Sequence, residues 1–222
     1  MGAPYFMHNR SFFRHTPDVD LAFLQASFDN VPYDQYFTNG QRFRTTSRVE
    51  ITDRGFKLLP KRPLYQPPSV NKLEKYGGIC RDYEDAPVSL IESEPFHQLI
   101  MEWISRTGLT VKSFSVHQIR TTGTGSPVPE GRHHDGTDWT GLYVLKRHGI
   151  EPESARTTYW DRDGEIVMSD ILSEGELITF EDGKYTHDTT ALEPTREGAY
   201  RDVFVLTLPE HGVNVPADMI GE

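Results

Sequence analysis

A chain of 222 residues is long enough for one sizeable domain, and 36% hydrophobic residues with 12 Phe and 10 Tyr exclude a disordered one. A formal net charge of −10 opposes binding to nucleic acid or to an anionic membrane surface. The single cysteine, Cys80, excludes an internal disulfide framework and a cysteine-built zinc site, and it suits a reducing cytoplasm.

The opening MGAPYFMHNR has no apolar run of signal length, and Phe6 stands where a myristoylation signal after Gly2 needs Ser or Thr. No stretch reaches the length of a membrane span, so the expectation is a cytoplasmic protein with no membrane partner.

Residues 17–29 place Leu21, Leu24 and Phe28 near helical period and predict a helix. Residues 41–52 alternate, are rich in Thr, Val and Ile, and predict a strand. The Pro-rich stretch 58–70 is expected to be a surface connection. A second helix is predicted over 94–107, with Pro95 suited to its first turn and Gly108 to its end.

From Thr110 onward, short β-branched and aromatic runs follow one another at 110–121, 140–148, 156–161, 165–168, 176–181 and 200–208. Gly123 and Gly125, Asp163–Gly164 and Asp182–Gly183 punctuate them. Antiparallel strands of this number and length predict a mainly β (α+β) jelly roll, with N-terminal helices packed on the sheet. The whole chain reads as one domain: a helical and strand part over 1–108, a jelly-roll core over 109–210 and a tail over 211–222.

The densest polar cluster is PEGRHHDGTDW, residues 129–139. A His-x-Asp pair is weak evidence by itself. On a strand, however, residues i and i+2 share a face, so His133 and Asp135 converge on one ion while His134 points away. The candidate for a third ligand is His187, just after the Asp182–Gly183 turn and the apolar run Leu177–Phe180. Two imidazoles and one carboxylate on one side of a metal leave three positions open, the arrangement of non-haem iron(II) oxygenases. A keto-acid co-substrate would also need a cation for its far carboxylate. The planar fork of an arginine suits that role. Arg201, at the start of the run RDVFVLTL, is the candidate; Arg196 is the alternative.

These residues resemble a known family, the 2-oxoglutarate/iron(II) dioxygenases typified by bacterial L-isoleucine 4-hydroxylase. The resemblance is carried by RFRTTSRVEI (42–51), VHQIR (116–120), PEGRHHDG (129–136) and His187 with RDVFVLTL (201–208), in the family's order. The third segment has the form P-E-G-x-H-x-D-G and is fairly specific. The resemblance implies a double-stranded β-helix of the cupin type, iron(II) on His133, Asp135 and His187, and Arg201 as the 2-oxoglutarate anchor. It also implies O2 as co-substrate and hydroxylation of an unactivated C–H bond of a free amino acid or similar small molecule, with release of succinate and CO2. Asp188 and the Thr pair after His187 depart from the family's usual small and apolar residues, which points to a different substrate. The alternatives are the same chemistry on a modified secondary-metabolite precursor, or a cupin-like metal enzyme that does not use 2-oxoglutarate.

Candidate substrate contacts are Glu130, which could accept an ammonium group, and Trp139 and Tyr143, which could wall an apolar pocket. Val116, Gln118 and Arg120 share one strand face, and Ser115, His117 and Ile119 the other. Either Arg120 or His117 points into the barrel, and His117 reads as a core histidine rather than a fourth ligand.

Overall fold

Helix α3 (Glu94–Thr107) forms over the predicted residues: Ser93 caps it, Pro95 lies in its first turn, and Gly108 ends it at φ 68°. Its buried face carries Phe96, Leu99, Ile100, Trp103 and Ile104. Helix α1 (Leu21–Ala26) is shorter than predicted. The Asp20 carboxylate accepts from the Phe23 N–H at 3.0 Å and fixes its start. The Ser27 hydroxyl donates back to the Leu24 carbonyl at 2.7 Å, and the chain continues in turns. The computed structural model describes residues 11–37, 41–216 and 219. The targeting expectations for the first ten residues lie outside these, as does most of the predicted tail past 216.

The predicted strands appear as β2 (Arg42–Thr52), β4 (Ser113–Thr122), β5 (Trp139–His148), β6 (Arg156–Trp160), β7 (Ile166–Ile171), β8 (Leu177–Glu181) and β10 (Tyr200–Leu208). Four short elements had no legible period: β1 (Phe12–His15), β3 (Gly55–Leu58), α2 (Val88–Ile91) and β9 (Thr186–Thr189). A seven-stranded antiparallel sheet runs β1-β8-β5-β10-β4-β2-β3, and a three-stranded sheet runs β7-β6-β9. This is the expected jelly-roll, double-stranded β-helix architecture with few helices. β2 pairs with β4 from Arg42↔Thr121 to Glu50↔Ser113, and β1 pairs with β8, so the N-terminal strands are full members of the large sheet.

Strand parity splits the core in two. The outer face of the large sheet sends Val116, Trp139, Tyr143, Phe204 and Leu206 against the helices. A Cβ on Gly141 would lie 2.6 Å from the Trp103 indole nitrogen, so only glycine lets α3 pack this closely. The inner face sends Ile119, Leu142, Val144 and Val203 toward Tyr159 and Phe180, and this second cluster lies beside the cavity. The Pro-rich stretch is more than a surface connection. Leu64 bridges to Arg81 and Gln66 to Gly77, and this strap supplies Leu64, Gln66, Tyr76, Arg81 and Tyr83 to the cavity wall.

Candidate metal and co-substrate site

His187 lies on β9, stacked on Tyr159 of β6 at 5.5 Å. His133 lies opposite it in a single antiparallel bridge. The His133 N–H donates to the His187 carbonyl at 3.0 Å and the His187 N–H to the His133 carbonyl at 2.9 Å. Their rings stand 4.4 Å apart. Asp135 faces both: its Oδ1 is 3.5 Å from His133 Nε2, and its Oδ2 is 3.8 Å from His187 Nε2. Ligand atoms of the three residues all lie within 4.8 Å of one another, a group that could hold a metal ion. The structure therefore brings the three expected residues together, though not through strand alternation. Only His133 of this segment is bridged, and Asp135 lies in irregular chain that leads into a bend at Gly136–Asp138 rather than in a strand.

What shapes that bend is Asp182, which the sequence reading used only as a turn signal. It is 1% exposed. Its carboxylate accepts the N–H of Asp135 at 2.9 Å, of Gly136 at 2.9 Å and of Thr137 at 3.1 Å. Gly136 has φ +82°, and a Cβ there would meet Val70 of the strap at 2.9 Å. His134 turns away, its Nδ1 donating to the Asp182 carbonyl at 2.6 Å. Thr140 Oγ1 donates to Asp135 Oδ2 at 3.1 Å, and His133 Nδ1 donates to the Gly131 carbonyl at 2.9 Å. That bond leaves His133 Nε2 as the ligand atom.

The electrostatics are those of a cation site. Burial opposes ionisation of Asp135, but His187, His133 and Thr140 outweigh it and hold its carboxyl well below the usual range. Burial also opposes protonation of His133, yet the hydrogen bond to Asp135 and its charge raise the imidazole to about 9. His187 is lowered to about 4, chiefly by burial. Asp182 is raised to about 6 by burial and then by the Asp135 charge, against the pull of its three N–H donors.

Arg201 is 3% exposed and lines the same cavity. Its Nε and Nη2 have no hydrogen-bond partner, and neither has the buried hydroxyl of Tyr159, which also lines the cavity. Burial, then the Arg147 charge, pulls the Arg201 pKa down to about 10, and burial pushes the Tyr159 phenol up. The result is a buried cation and a neutral donor facing a cavity wall without an acceptor. Such groups are costly unless a carboxylate meets them. Arg196, the alternative, is exposed and lies against His148 at 3.0 Å, away from the cavity. Nothing in the sequence distinguished Tyr159 from a core aromatic; its pairing with His187 across β6 and β9 was the missing information.

Glu130 reaches the cavity, with Oε1 4.0 Å from His133 Nε2. Four other expected contacts do not line it. Trp139 and Tyr143 fall on the outer face, in the core under the helices. Arg120 shares that parity and makes a bidentate pair with Asp202, both bonds 2.7 Å, while stacking on Tyr200 at 4.2 Å. Asp188 alternates away from His187 and accepts the Thr189 N–H at 2.7 Å. His117 lines the cavity instead of Arg120, and its Nδ1 lies 3.0 Å from Arg44 Nη2 and 3.1 Å from Thr46 Oγ1.

A double-stranded β-helix with two histidines and one aspartate converging at one end of its barrel defines the class of cupin-type metal oxygenases. Residues 25–207 match the 2OG-Fe dioxygenase family, and the chain belongs to that family, which uses iron(II), 2-oxoglutarate and O2. No curated protein matches the sequence. Solved structures give the same fold. A bsmA homolog from Methylobium petroleophilum PM1 has TM-score 0.69 and 22% identity over 89% of this chain and 88% of that one. IDO from Bacillus thuringiensis has TM-score 0.68 and 17% identity over 89% of this chain and 93% of its own. The Fe(II)/(alpha)ketoglutarate-dependent dioxygenase TqaL has TM-score 0.62 and 17% identity, over 84% and 73% respectively. The likeness to an isoleucine 4-hydroxylase in particular rests on the sequence motifs alone.

Proposed function

We propose that this chain hydroxylates an unactivated C–H bond of a free amino acid or a closely similar small molecule, with release of succinate and CO2. One observation carries the 2-oxoglutarate dependence at residue level. The buried Arg201 guanidinium, with two N–H groups lacking partners, lines the same cavity as His133, Asp135 and His187. A cupin-like metal enzyme without a keto-acid co-substrate would leave that buried charge without a role.

In this reading His133, His187 and one Asp135 oxygen would hold the metal. Iron(II) held there would couple the oxidative decarboxylation of 2-oxoglutarate by O2 to insertion of the second oxygen atom into the C–H bond. The chain's own residues bind and orient. Arg201 and Tyr159 take the distal carboxylate of 2-oxoglutarate as a charge-assisted, two-residue donor set. Asp182 fixes the backbone that presents Asp135, and Thr140 sets its carboxylate. Glu130, beside His133, receives a substrate ammonium. The strap over the cavity limits water at the reacting end. The single Cys80 suits a cytoplasmic setting, and no helix among the described residues is long and apolar enough to cross a membrane.

The test is succinate formation by the iron-loaded chain across a panel of free amino acids. A subset of amino acids raises succinate several-fold above the level without substrate, and His187→Ala abolishes both metal retention and succinate. A wild-type chain that retains iron yet forms no succinate with any panel member refutes the proposal.

A further inference from the structure

The cavity holds more positive charge than one co-substrate carboxylate requires. Besides Arg201, its wall contains Arg42, Arg44 and Arg81. Arg44 is 9% and Arg81 4% exposed. Asp34, which lies against Arg42, is already engaged: Oδ1 accepts the Tyr36 N–H at 3.0 Å, and Oδ2 lies 3.4 Å from the Tyr83 hydroxyl and 3.8 Å from Arg42. Among the described residues no carboxylate lies within ion-pair distance of Arg44 or Arg81.

Both guanidiniums are nevertheless held in place. Arg44 lies over the Tyr83 ring at 4.9 Å, with Nε on Thr46 Oγ1 at 3.3 Å and Nη2 on His117 Nδ1 at 3.0 Å. Burial and the Arg44 charge hold the His117 pKa well below its usual value, so the imidazole is a neutral acceptor. Arg81 lies over Tyr76 at 5.5 Å and donates Nη2 to Gln66 Oε1 at 2.7 Å, while its buried Nε has no partner. Fixing two buried cations by stacking and neutral acceptors, without an acid, is the arrangement of a preorganised anion site.

This site is distinct from that of Arg201. Arg44 is on β2, opposite Ile119 of β4, which is opposite Val203 of β10. Two strand spacings put the β2 and β10 backbones about 10 Å apart. Between them β4 presents Ile119 and Thr121 to the cavity, and Val203 and Val205 of β10 with Leu142 of β5 continue this face as an apolar wall. Arg81 is also tied to the metal loop, because Gln66, which accepts from it, donates Nε2 to the Asp135 carbonyl at 3.2 Å. A group bound at Arg81 is therefore positioned relative to the metal ligand through one side chain.

We propose that Arg44 and Arg81 form a second anion site that binds a carboxylate of the substrate, so that the enzyme oxidises small carboxylic acids and rejects their amides. This rests on the dioxygenase reading above and narrows its substrate class. The apolar wall of Ile119, Val203, Val205 and Leu142 receives the carbon chain, and the distance from Arg81 to the metal loop sets which carbon is oxidised.

The experiment uses the full chain loaded with iron(II) and 2-oxoglutarate. The probes are free L-amino acids and small mono- and dicarboxylic acids, each beside its primary amide. Binding is read anaerobically from the visible absorption band of the iron(II)–2-oxoglutarate chelate, and turnover from succinate. The responding probes are acids, and the amide of each binds about 100-fold or more weakly, the loss expected when a buried charge pair loses one partner. Arg44→Gln and Arg81→Gln raise KM for the best acid at least tenfold with a smaller change in kcat, whereas Arg54→Gln, on the exposed β2–β3 turn, does not. Amides that match their acids, or a panel in which no acid responds, overturn the anion site. Failure of the chelate band to form in the unaltered chain overturns the dioxygenase reading instead. The acid–amide comparison needs no variant and stands even where an arginine substitution prevents folding.

Discussion

Replacing Arg201 by Met separates a binding role from a structural one, because the two predict opposite signs. The guanidinium is 3% exposed, and burial with the Arg147 charge brings its pKa from 12.5 to about 10. Keeping that charge in the folded protein at neutral pH therefore costs about 3 kcal/mol. Met removes the charge and retains most of the apolar stem. At roughly 2–4 °C per kcal/mol for a domain of this size, full recovery would raise Tm by about 6–12 °C. Imperfect packing of the thioether offsets part of this, so a rise of about 3–8 °C is expected without co-substrate. With 2-oxoglutarate at 100 times its Kd, the unaltered iron-loaded protein gains about 2.7 kcal/mol, and Arg201→Met loses that gain. The assay is thermal unfolding of both proteins with and without 2-oxoglutarate. A Tm that falls by several degrees in Arg201→Met, together with a preserved 2-oxoglutarate shift, refutes the reasoning and makes Arg201 a structural residue.

Two further predictions concern buried polar groups. Asp182→Asn keeps the shape but offers an amide N–H₂ to at least one of the three N–H donors from Asp135, Gly136 and Thr137. Hydrogen bonds to a charged acceptor contribute about 1.5–3 kcal/mol each before the desolvation of the carboxylate is set against them. The variant should hold Mn(II) about 10–100-fold more weakly in a chelator competition, and an unchanged affinity would remove Asp182 from the metal site. Acid should destabilise the protein through His211. Its Nδ1 lies 2.7 Å from Ser115 Oγ and its Nε2 3.1 Å from the Arg62 carbonyl, and burial lowers its pKa from 6.5 to about 3. Because the folded state then binds fewer protons than the unfolded one, stability is full above pH 6.5 and declines as pH falls toward 3. The contribution lost by pH 5 is about 2 kcal/mol, and buried His117 acts in the same direction. Urea unfolding at pH 7.5 and 5 should show this loss, and His211→Gln should reduce it; equal slopes in the two proteins would contradict it.

The sequence by itself determined the long elements and the three candidate ligands. Helix α3 has a cap, a first-turn proline, a terminal glycine and a full helical period, all local signals, and it forms as read. The strands over 110–208 carry their own alternation and turn residues. His133, Asp135 and His187 were legible because the donor chemistry of iron is narrow and their order along the chain matches a known pattern. Four-residue elements such as β1 and β9 span too few residues to show a period, and their pairing partners, β8 and β6, supply their stability.

The tertiary structure decided which face is which. Alternation establishes that Trp139 and Tyr143 share a side, and that Arg120 shares one with Gln118, but not whether that side meets the helices or the cavity. That depends on where α3 packs: it placed Trp139 and Tyr143 opposite the expectation and decided the open choice between Arg120 and His117 for His117. Asp182, Tyr159, Arg44 and Arg81 are ordinary residues in sequence. Each gains its role from a contact far along the chain: Asp182 with the 135–137 amides, Tyr159 with His187, Arg44 with His117, and Arg81 with Gln66, the last brought together by a strap that a proline-rich stretch gave no reason to place over a cavity. Buried charge takes its meaning from what lies opposite it, and only the folded chain specifies that.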